Sequence, residues 1–497
     1  GELGSAAAAA DLGRRAAELF CSAATEAMHR DDVSLAADLA ARALAVVPDA
    51  DTAIRADLLI LKCECALASG EVAAASAATA ELTAIVGHGD PVGHLDAWAQ
   101  CYAAQLVGLI DPDGLVTAVA AVTEAAQVFA AAGDGSGEAK AHQVRAGLLA
   151  RLGRVAEAEA SLDEALSAAR SVDDRSRVTA ILGAVPVAAL VGPSSVSRAG
   201  GRCLDVVRLL RITSASPSVE ATSMRCQAVL EALRGHFDAA RSMLADARQS
   251  LEELGLRHGL LATDLYAGTV ELIAGRPGAA VTPLQRAYDG LSALGVGADA
   301  GQAAALLSRA LLAQGDVDGA DAMATESEHR AGQNLQTAIA WRLARSEVSA
   351  ARGDLAAGIA EAAAAVGIAE STDLTVEHAD AAAVLAALHR SAGDAAAAAS
   401  ARRVARRLYE AKGATVWAER LRAADSEVTD SASERRFGSD ETIDDDVARV
   451  GPAGSDGSDL RLVRRRPEAF ADVRQSVGRL RDEQGINDAA RMGLAWL

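Results

Sequence analysis

The chain has 497 residues, of which 51% are hydrophobic and 3% aromatic, and its 48 basic and 68 acidic side chains give a net charge of −20. The apolar content excludes a wholly disordered chain, and the alanine-rich, aromatic-poor composition argues against an all-β fold. The acidic balance argues against direct nucleic-acid binding, which needs a basic surface. We therefore expect an all-α protein without a nucleic-acid partner.

The chain opens with GELGSAAAAADLGRR, which has neither an initiator methionine nor the basic segment of a signal peptide. We expect a piece of a longer, cytoplasmic protein. The spacing of the cysteines fits neither a zinc site nor a redox motif, which predicts small buried side chains. The cysteines are at positions 21, 63, 65, 101, 203 and 226. Only three basic residues are lysines, Lys62, Lys140 and Lys412, and we attribute this to coding bias.

A repeated pattern begins near residue 32 and continues to about residue 424. Each unit reads as a helix, a short turn, a second helix and a loop, as in GLLARLGRVAEAEASLDEALSAAR at 147–170. Glycine suits the turn because a left-handed residue that ends a helix is least strained as glycine. The turns recur every 38 to 43 residues, at positions 32, 70, 113, 153, 192, 235, 275, 315, 353 and 393.

These ten units predict a tetratricopeptide-like helical-hairpin solenoid over 1–424, with about ten repeats of roughly 40 residues. One hairpin cannot bury its own apolar face, so we expect each to pack on its neighbours only, in one right-handed superhelix. The uncharged stretch from Val178 to Ser197 contains two glycines and two prolines. It is too interrupted for the roughly 20 apolar residues of a membrane span, which predicts a buried helix pair and no membrane contact.

The composition changes after the last repeat. Residues 425–460 contain 11 acidic side chains and 3 arginines, which predicts an acidic disordered linker. Residues 461–497 contain 8 arginines and 5 acidic side chains, and we interpret them as a basic tail. Within the tail, residues 467–483 are predicted to form a short amphipathic helix, because Phe470, Val473, Val477 and Leu480 recur at helical spacing.

The sequence lacks the motifs of common enzymes. It has no Gly-Lys-Ser/Thr phosphate loop, no HExxH and no serine with glycine at both i−2 and i+2. We therefore predict no catalytic residue and no cofactor. His88, Asp90 and His94 in GHGDPVGH could in principle ligate a metal, but no fourth ligand accompanies them, which favours a solvated loop.

Trp341, Arg342 and Arg345 in AIAWRLARSE are our candidate groove-binding residues. At helical spacing, one tryptophan and two arginines can line a groove and bind an acidic or aromatic ligand. The alternative is that Trp341 belongs to the core and that the two arginines form a solvated rim. Neither interpretation involves catalysis.

The stretch from about Glu252 to Ala424 resembles the C-terminal helical-repeat region of actinobacterial multidomain proteins with an adenylate/guanylate cyclase domain and an AAA-type ATPase domain. The opening repeat, HRDDVSLAADLAARALAVVPDADTAIRADLL, looks like the start of the same region. The residues that carry the resemblance are LEELGLRHG (251–259), AGTVELIAGRPGAAVTPLQRAYDGLSALG (267–295), LLSRALLAQGDVDGADAMATESE (306–328), NLQTAIAWRLARSEVSAARGDLAAGIAEAAAAVGIAESTDL (334–374), HADAAAVLAALHRSAG (378–393) and ARRLYEAKGATVWAERLRA (405–423).

The resemblance implies a non-catalytic sensor or scaffold region of a signalling ATPase or nucleotide cyclase. Its concave face would bind a protein, a peptide or a small effector and so bias the attached catalytic module. The alternative is the repeat region of an ATP-dependent transcriptional regulator whose DNA-binding domain is absent from this chain. The cyclase-like letters Phe470-Ala471-Asp472-Val473 follow no strand, and we interpret them as a coincidence. The sequence does not indicate which oligomeric state the protein adopts.

Overall fold

The computed structural model describes residues 2–87, 94–213 and 216–423. Within these ranges the regular structure is entirely helical, and the helices pair into ten successive hairpins, which confirms the predicted tetratricopeptide-like solenoid. The repeats belong to one compact unit, Gly1–Asp425. The predicted linker 425–460, the tail 461–497 and its helix at 467–483 lie outside the described residues.

Two helices form each repeat, and we call them its first and second helix. The first five pairs are α1 Glu2–His29 with α2 Val33–Val46, α3 Thr52–Ser69 with α4 Val72–Gly87, α5 Leu95–Ile110 with α6 Leu115–Ala132, α7 Gly135–Arg151 with α8 Val155–Ser171, and α9 Arg175–Val191 with α10 Val196–Thr213. A 3-10 turn, Pro112–Gly114, precedes α6.

The remaining five pairs continue the same alternation of first and second helices. They are α11 Pro217–Leu233 with α12 Phe237–Glu253, α13 Arg257–Ile273 with α14 Pro277–Ala293, α15 Gly297–Leu312 with α16 Val317–Ala331, α17 Leu335–Ala351 with α18 Leu355–Ala369, and α19 Thr375–Ser391 with α20 Ala395–Lys412. A further helical segment covers 415–423.

Every predicted turn position separates the two helices of one hairpin. The glycines at 70, 153, 235, 275, 315, 353 and 393 have positive φ angles, which confirms the predicted left-handed turn at these positions. Gly192 is the exception, because its φ is −73° and its backbone is extended. In several turns an aspartate follows the glycine and caps the next helix, as Asp316, Asp354 and Asp394 do.

The first helices form the inner layer of the solenoid. Each first helix packs against the first helix of the next repeat, from α1 to α19. Within the described part of the chain, no two second helices are in comparable contact, so the second helices form the outer layer. Buried alanines such as Ala36, Ala40 and Ala43 allow the helices to approach closely.

Two long apolar stretches of the described chain are parts of the helical repeats. Residues 178–197 comprise most of α9, the turn after it and the first two residues of α10, so the predicted buried helix pair is mostly a single helix. By length and composition alone, Pro112–Ala132 is apolar enough to cross a membrane. It contains α6, the second helix of the third repeat, and packs against α5 and α7.

Repeats that are far apart in sequence also meet, along a line that we call the seam. The seam joins the hairpin turn of one repeat to a loop about 220 residues later. The Gln333 amide donates to Pro112 O (3.1 Å), and the Asp373 amide donates to Gly153 O (2.8 Å). Lys412 Nζ donates to Leu190 O (2.8 Å). The prediction that each repeat packs on its neighbours only is therefore wrong, because the superhelix is wound tightly enough for successive turns to touch.

Apolar packing crosses the seam as well. One core cluster joins Ala66 and Val72 of the second repeat to Leu291 and Val296, which lie more than 200 residues further along the chain. α1 also contacts α9, the first helix four repeats further along the chain. The first five first helices therefore lie around one common space.

Candidate functional site: an internal chamber

The first helices of repeats one to five, α1, α3, α5, α7 and α9, line a half-open cavity of about 520 Å³, which we call the chamber. A second cavity of about 460 Å³ lies between α1 and α3, and we call it the α1 lobe. Both are lined by Cys21, Thr25 and Asp57, so the two volumes adjoin. Together they form an elongated, two-lobed cavity that is open to solvent along the α1 lobe, where most of the lining residues are exposed.

Helix N-termini define one side of the chamber. Asp134 caps α7 by accepting the Gly137 amide (2.8 Å), and Asp174 caps α9 by accepting the Arg177 amide (2.9 Å). Ser136 Oγ donates to Asp174 Oδ2 (2.6 Å) and so ties the start of α7 to the start of α9. These turn residues line the chamber because the first helices of successive repeats begin at the same edge.

An ionic network centred on Glu64 of α3 lies behind these helix N-termini, which we call the wall of the chamber. Glu64 Oε1 accepts from Tyr102 Oη (2.7 Å) and from Arg177 Nη1 (2.7 Å), and it lies 3.0 Å from Lys140 Nζ. Lys140 is 2% exposed. The network therefore joins the first helices of repeats two to five through one carboxylate.

Charge and burial shift the pKa values of this network. Burial would raise the pKa of Glu64, but the positive charges of Arg177 and Lys140 and their hydrogen bonds lower it well below its usual range. Burial lowers the pKa of Lys140, and the nearby Glu64 carboxylate partly offsets this. Because its charges are paired, the network fixes the geometry of the wall, and Arg177 Nε remains a buried donor without a hydrogen-bond partner.

An aromatic cluster forms the apolar part of the wall. Trp98 stacks on Tyr102 at 6.1 Å between ring centroids and meets Phe129 edge to face at 5.3 Å. Trp98 Nε1 donates to Asp134 Oδ2 (3.0 Å), and His94 Nε2 lies 3.0 Å from the same oxygen. Trp98 thus presents an apolar surface to the chamber while its polar atom is satisfied.

Asp57 differs from the other chamber carboxylates. Within the described residues it has no hydrogen bond and no ion pair. Its side chain reaches the chamber and the α1 lobe at the point where the two adjoin. The surrounding protein, and the like charge of Asp134, raise the pKa of Asp57 above its ordinary value. It is an exposed carboxylate without a partner among the described residues.

The cysteines lie as the sequence predicts, with one informative exception. Five are buried, whereas Cys21 is half-buried and lines both lobes. Burial raises the pKa of Cys63 to about 11 and that of Cys101 to about 12, so these thiols are unreactive at neutral pH. Burial and the charge of Asp57 also raise the pKa of Cys21. Cys21 is nevertheless the cysteine that a reagent in the chamber could reach.

The three predicted groove residues lie in α17, the first helix of the ninth repeat. Trp341 is buried, and the Arg342 guanidinium lies 4.1 Å from the centroid of its ring. Arg342 pairs with Glu361 of α18 (2.7 Å), and Arg345 pairs with Glu328 of α16 (2.8 Å). The arginines therefore join neighbouring helices, and a ligand would have to compete with these carboxylates. Their role in binding stays a prediction.

The possible metal set in GHGDPVGH is only partly described. His88 and Asp90 lie outside the described residues, and His94 contacts Asp134 and the Phe129 ring. In the part of the chain that the structure describes, no group of three or more His, Cys, Asp or Glu side chains is arranged to hold a metal ion.

No sequence motif singled out Asp57, Glu64, Lys140 or Arg177 as residues of a site. A usable signal was present, because Glu64 and Lys140 interrupt the apolar pattern of α3 and α7. Two of the three lysines, Lys140 and Lys412, prove to be buried, so the attribution of the rare lysines to coding bias overlooked their positions. Which repeats would enclose a chamber depends on the superhelical pitch, which local sequence does not determine.

Comparisons with known proteins give only distant likenesses. No protein-family model matches the chain, and no curated protein sequence matches it. Among solved structures, a Rap protein complexed with Competence and Sporulation Factor matches with a TM-score of 0.43 at 12% identity, covering 80% of this chain and 99% of that one. The apo form of the quorum sensor NprR from B. thuringiensis gives 0.42 at 12% identity, covering 70% and 97%.

Yeast Tom70 matches with a TM-score of 0.32 at 12% identity, covering 86% of this chain and 93% of that one. These proteins are tetratricopeptide-like helical-repeat proteins. The likenesses are too weak to carry an argument about function. None of them supports the resemblance to cyclase and ATPase multidomain proteins.

Proposed function

We propose that this chain is a non-catalytic binding region that takes a peptide, a segment of a protein or a small effector into its internal chamber. The observation that carries the proposal is the two-lobed cavity lined by five successive first helices. Ligand sites are typically concave, largely apolar and provided with a few polar groups that fix orientation. The chamber combines Trp98, Ile60 and Leu61 with the unpaired Asp57 in this way.

The elongated shape favours an extended segment over a compact molecule. The α1 lobe continues from the chamber along α1 and α3, so a chain that enters one volume can continue into the other. The polar groups at the wall, Asp134 and Asp174, are used as helix caps, and Glu64 is held by Arg177 and Lys140. This arrangement suits recognition by a rigid wall, with no group poised for proton transfer.

We further propose that the region acts as a sensor or scaffold in a signalling ATPase or nucleotide cyclase. This proposal rests on the sequence resemblance between about Glu252 and Ala424. A ligand that prefers one state of the chamber would shift the attached module toward that state. The coding sequence upstream of Gly1 tests it: an ATPase module together with a cyclase domain would support the proposal, and their absence would refute it.

The binding proposal is tested by filling the chamber. Ala180 of α9 lines the chamber and is exposed to it, so Ala180→Trp occupies the space without removing a described interaction. Peptides enriched from a random hexapeptide mixture on the full chain are then measured by isothermal titration calorimetry. We expect them to bind the wild-type chain and to lose at least about tenfold in affinity with Ala180→Trp, because the substituted side chain excludes the ligand.

The matched control is Ala130→Trp, which places the same side chain on the exposed face of α6 in the outer layer. Circular dichroism of both variants confirms that they remain folded. Enrichment of no peptide, or equal affinity of the wild-type chain and both variants, would contradict binding in the chamber.

A further inference from the structure

We infer that the occupant of the chamber carries a cationic group on an apolar stem, as in a lysine or arginine side chain, and that the Asp57 carboxylate receives it. This inference rests on the proposed function of the chamber. It extends that function by naming the chemical class of the ligand and the residue that determines specificity. Three observations carry it: the charge balance of the cavity, the pairing of each charge and the apolar lining beside Asp57.

The charge balance of the two lobes is negative. The carboxylates that line the chamber or the α1 lobe belong to Glu18, Glu26, Asp57, Glu64, Asp134 and Asp174. Facing them are one arginine, Arg177, and two histidines, His29 and His94. An anionic ligand would meet a surplus of like charge there.

Among the carboxylates that line the chamber itself, pairing singles out Asp57. Glu18 also has no partner among the described residues, but it is exposed and lines only the α1 lobe. Glu64 is held by Arg177 and Lys140, and Asp134 accepts hydrogen bonds from Trp98 and the Gly137 amide. Asp174 accepts from Ser136 and the Arg177 amide, and Glu26 pairs with Arg30. Asp57 has no such partner among the described residues. Asp57 is exposed, so its unpaired carboxylate is accessible to a cationic group that enters the chamber.

The surroundings of Asp57 fit the rest of a lysine or arginine side chain. Ile60 and Leu61 of α3 follow Asp57 on the same helix, and Met28 and Ala180 face them across the chamber. Such a surface accommodates the methylene stem of a long cationic side chain, while its charged end reaches a carboxylate. The hydroxyl of Thr25 lines both lobes and offers a further acceptor near the carboxylate. An apolar stem with a cationic end matches this combination.

The test uses Cys21 as a reporter, because it is the half-buried cysteine and lines both lobes. The probes are two acetylated, amidated pentapeptide mixtures with a central lysine or a central glutamate and uncharged residues elsewhere. The rate of Cys21 alkylation by N-ethylmaleimide is followed by mass spectrometry of the full chain. We expect the lysine mixture to slow alkylation at least about fivefold and the glutamate mixture to have no effect.

The Asp57→Asn variant isolates the carboxylate, because it retains the size of the side chain and removes its charge. We expect protection by the lysine mixture to be lost in Asp57→Asn and retained in Asp163→Asn, which removes one exposed charge from α8 in the outer layer. Each variant is compared with itself without peptide, because the charge of Asp57 also influences the Cys21 thiol.

The two proposals fail in different ways. If neither mixture protects Cys21 at millimolar concentration, peptide binding in the chamber is refuted. If the glutamate mixture protects as well as the lysine mixture, or if Asp57→Asn retains the preference for lysine, the chamber binds peptides but the assignment of a cationic ligand to Asp57 is overturned.

Discussion

At the scale of single residues, the solenoid places charges where repeat proteins usually place apolar side chains. Glu64, Lys140 and Arg177 lie on first helices, and Arg309 pairs with Glu347 (2.8 Å) on first helices of later repeats. The pairs of Glu64 join repeats that no loop connects, whereas the Arg309–Glu347 pair joins the consecutive eighth and ninth repeats. Since breaking a buried pair leaves an uncompensated charge, such residues fix which helices can pack together, although they add little net stability.

We predict that Glu64→Gln lowers the free energy of unfolding by about 3–5 kcal/mol at neutral pH, because Arg177 and Lys140 lose their shared counter-charge. The effect depends on pH. The pKa of Glu64 is lowered in the folded chain, so its contribution is present above the ordinary carboxyl pKa near 4.5 and is lost as the pH falls below that value. Urea unfolding followed by circular dichroism at pH 7 and pH 4 measures both effects.

The control for this prediction is Glu81→Gln, because Glu81 is an exposed residue of the outer-layer helix α4 and faces Lys62 of α3 at 3.6 Å. Such a pair contributes about 0–1 kcal/mol, so the free energy of unfolding of the control variant should be close to that of the wild-type chain. Equal effects of the two substitutions would show that the Glu64 network is not effectively buried.

At the scale of elements, the hairpin turn is the unit that the sequence specifies most directly. Glycine ends the first helix in a left-handed conformation, and the following aspartate often caps the second. This left-handed conformation occurs both in turns that contact another repeat across the seam and in turns that do not. Gly353 has open space around the position of a Cβ atom, whereas a Cβ on Gly153 would lie 2.6 Å from Thr372 Cγ2.

We predict that Gly353→Ala lowers the free energy of unfolding by about 1–2 kcal/mol, the cost of the left-handed conformation alone. Gly153→Ala should lower it further, because the added methyl group must also displace Thr372 across the seam. Gly147→Ala, inside α7 with open space around it, should stabilise the chain by about 0.5–1 kcal/mol. Thermal and urea unfolding rank the stability of the three variants. An equal decrease in the free energy of unfolding for Gly153→Ala and Gly353→Ala would show that Thr372 can move aside without cost.

Features of the fold that depend on local interactions could be predicted from the sequence, and features that depend on contacts between distant repeats could not. The helices, the turns and the number of repeats depend on signals within about 40 residues, such as the recurring Gly153, Gly235 and Gly315, and they are confirmed. The chamber and the seam depend on how far each repeat rotates relative to the last. Small rotations accumulate over five repeats, so the meeting of Asp373 with Gly153 has no local signal.

At the scale of the whole molecule, the seam changes how the solenoid is stabilised. An open solenoid is a chain of neighbours and loses stability in steps as repeats are removed. Here the tenth repeat contacts the fifth through Lys412, and the loop after the ninth contacts the fourth through Asp373. Removal of the last repeat therefore uncovers groups in the middle of the chain as well as at its end.

Lys412 makes the seam sensitive to alkaline pH. It is 0% exposed, and its Nζ donates to Leu190 O (2.8 Å) and Gly192 O (2.5 Å) at the end of α9. Burial lowers its pKa to about 8, and the charges of Glu377 and Glu159 partly oppose this shift. The unfolded chain retains the proton up to about pH 10.5, so between these values the unfolded state binds more protons than the folded state.

We predict that the stability of the wild-type chain, relative to Lys412→Met, rises as the pH increases from 7 toward 10, with a total on the order of 3 kcal/mol across the full window. Subtraction of the variant is necessary because the buried thiols ionise more readily in the unfolded chain and destabilise both proteins above about pH 9. The measurement is urea unfolding under reducing conditions at pH 7, 8.5 and 9.5. A difference that falls with pH would mean that the seam favours the ammonium form of Lys412, because the two carbonyls would then stabilise the charge more than burial penalises it.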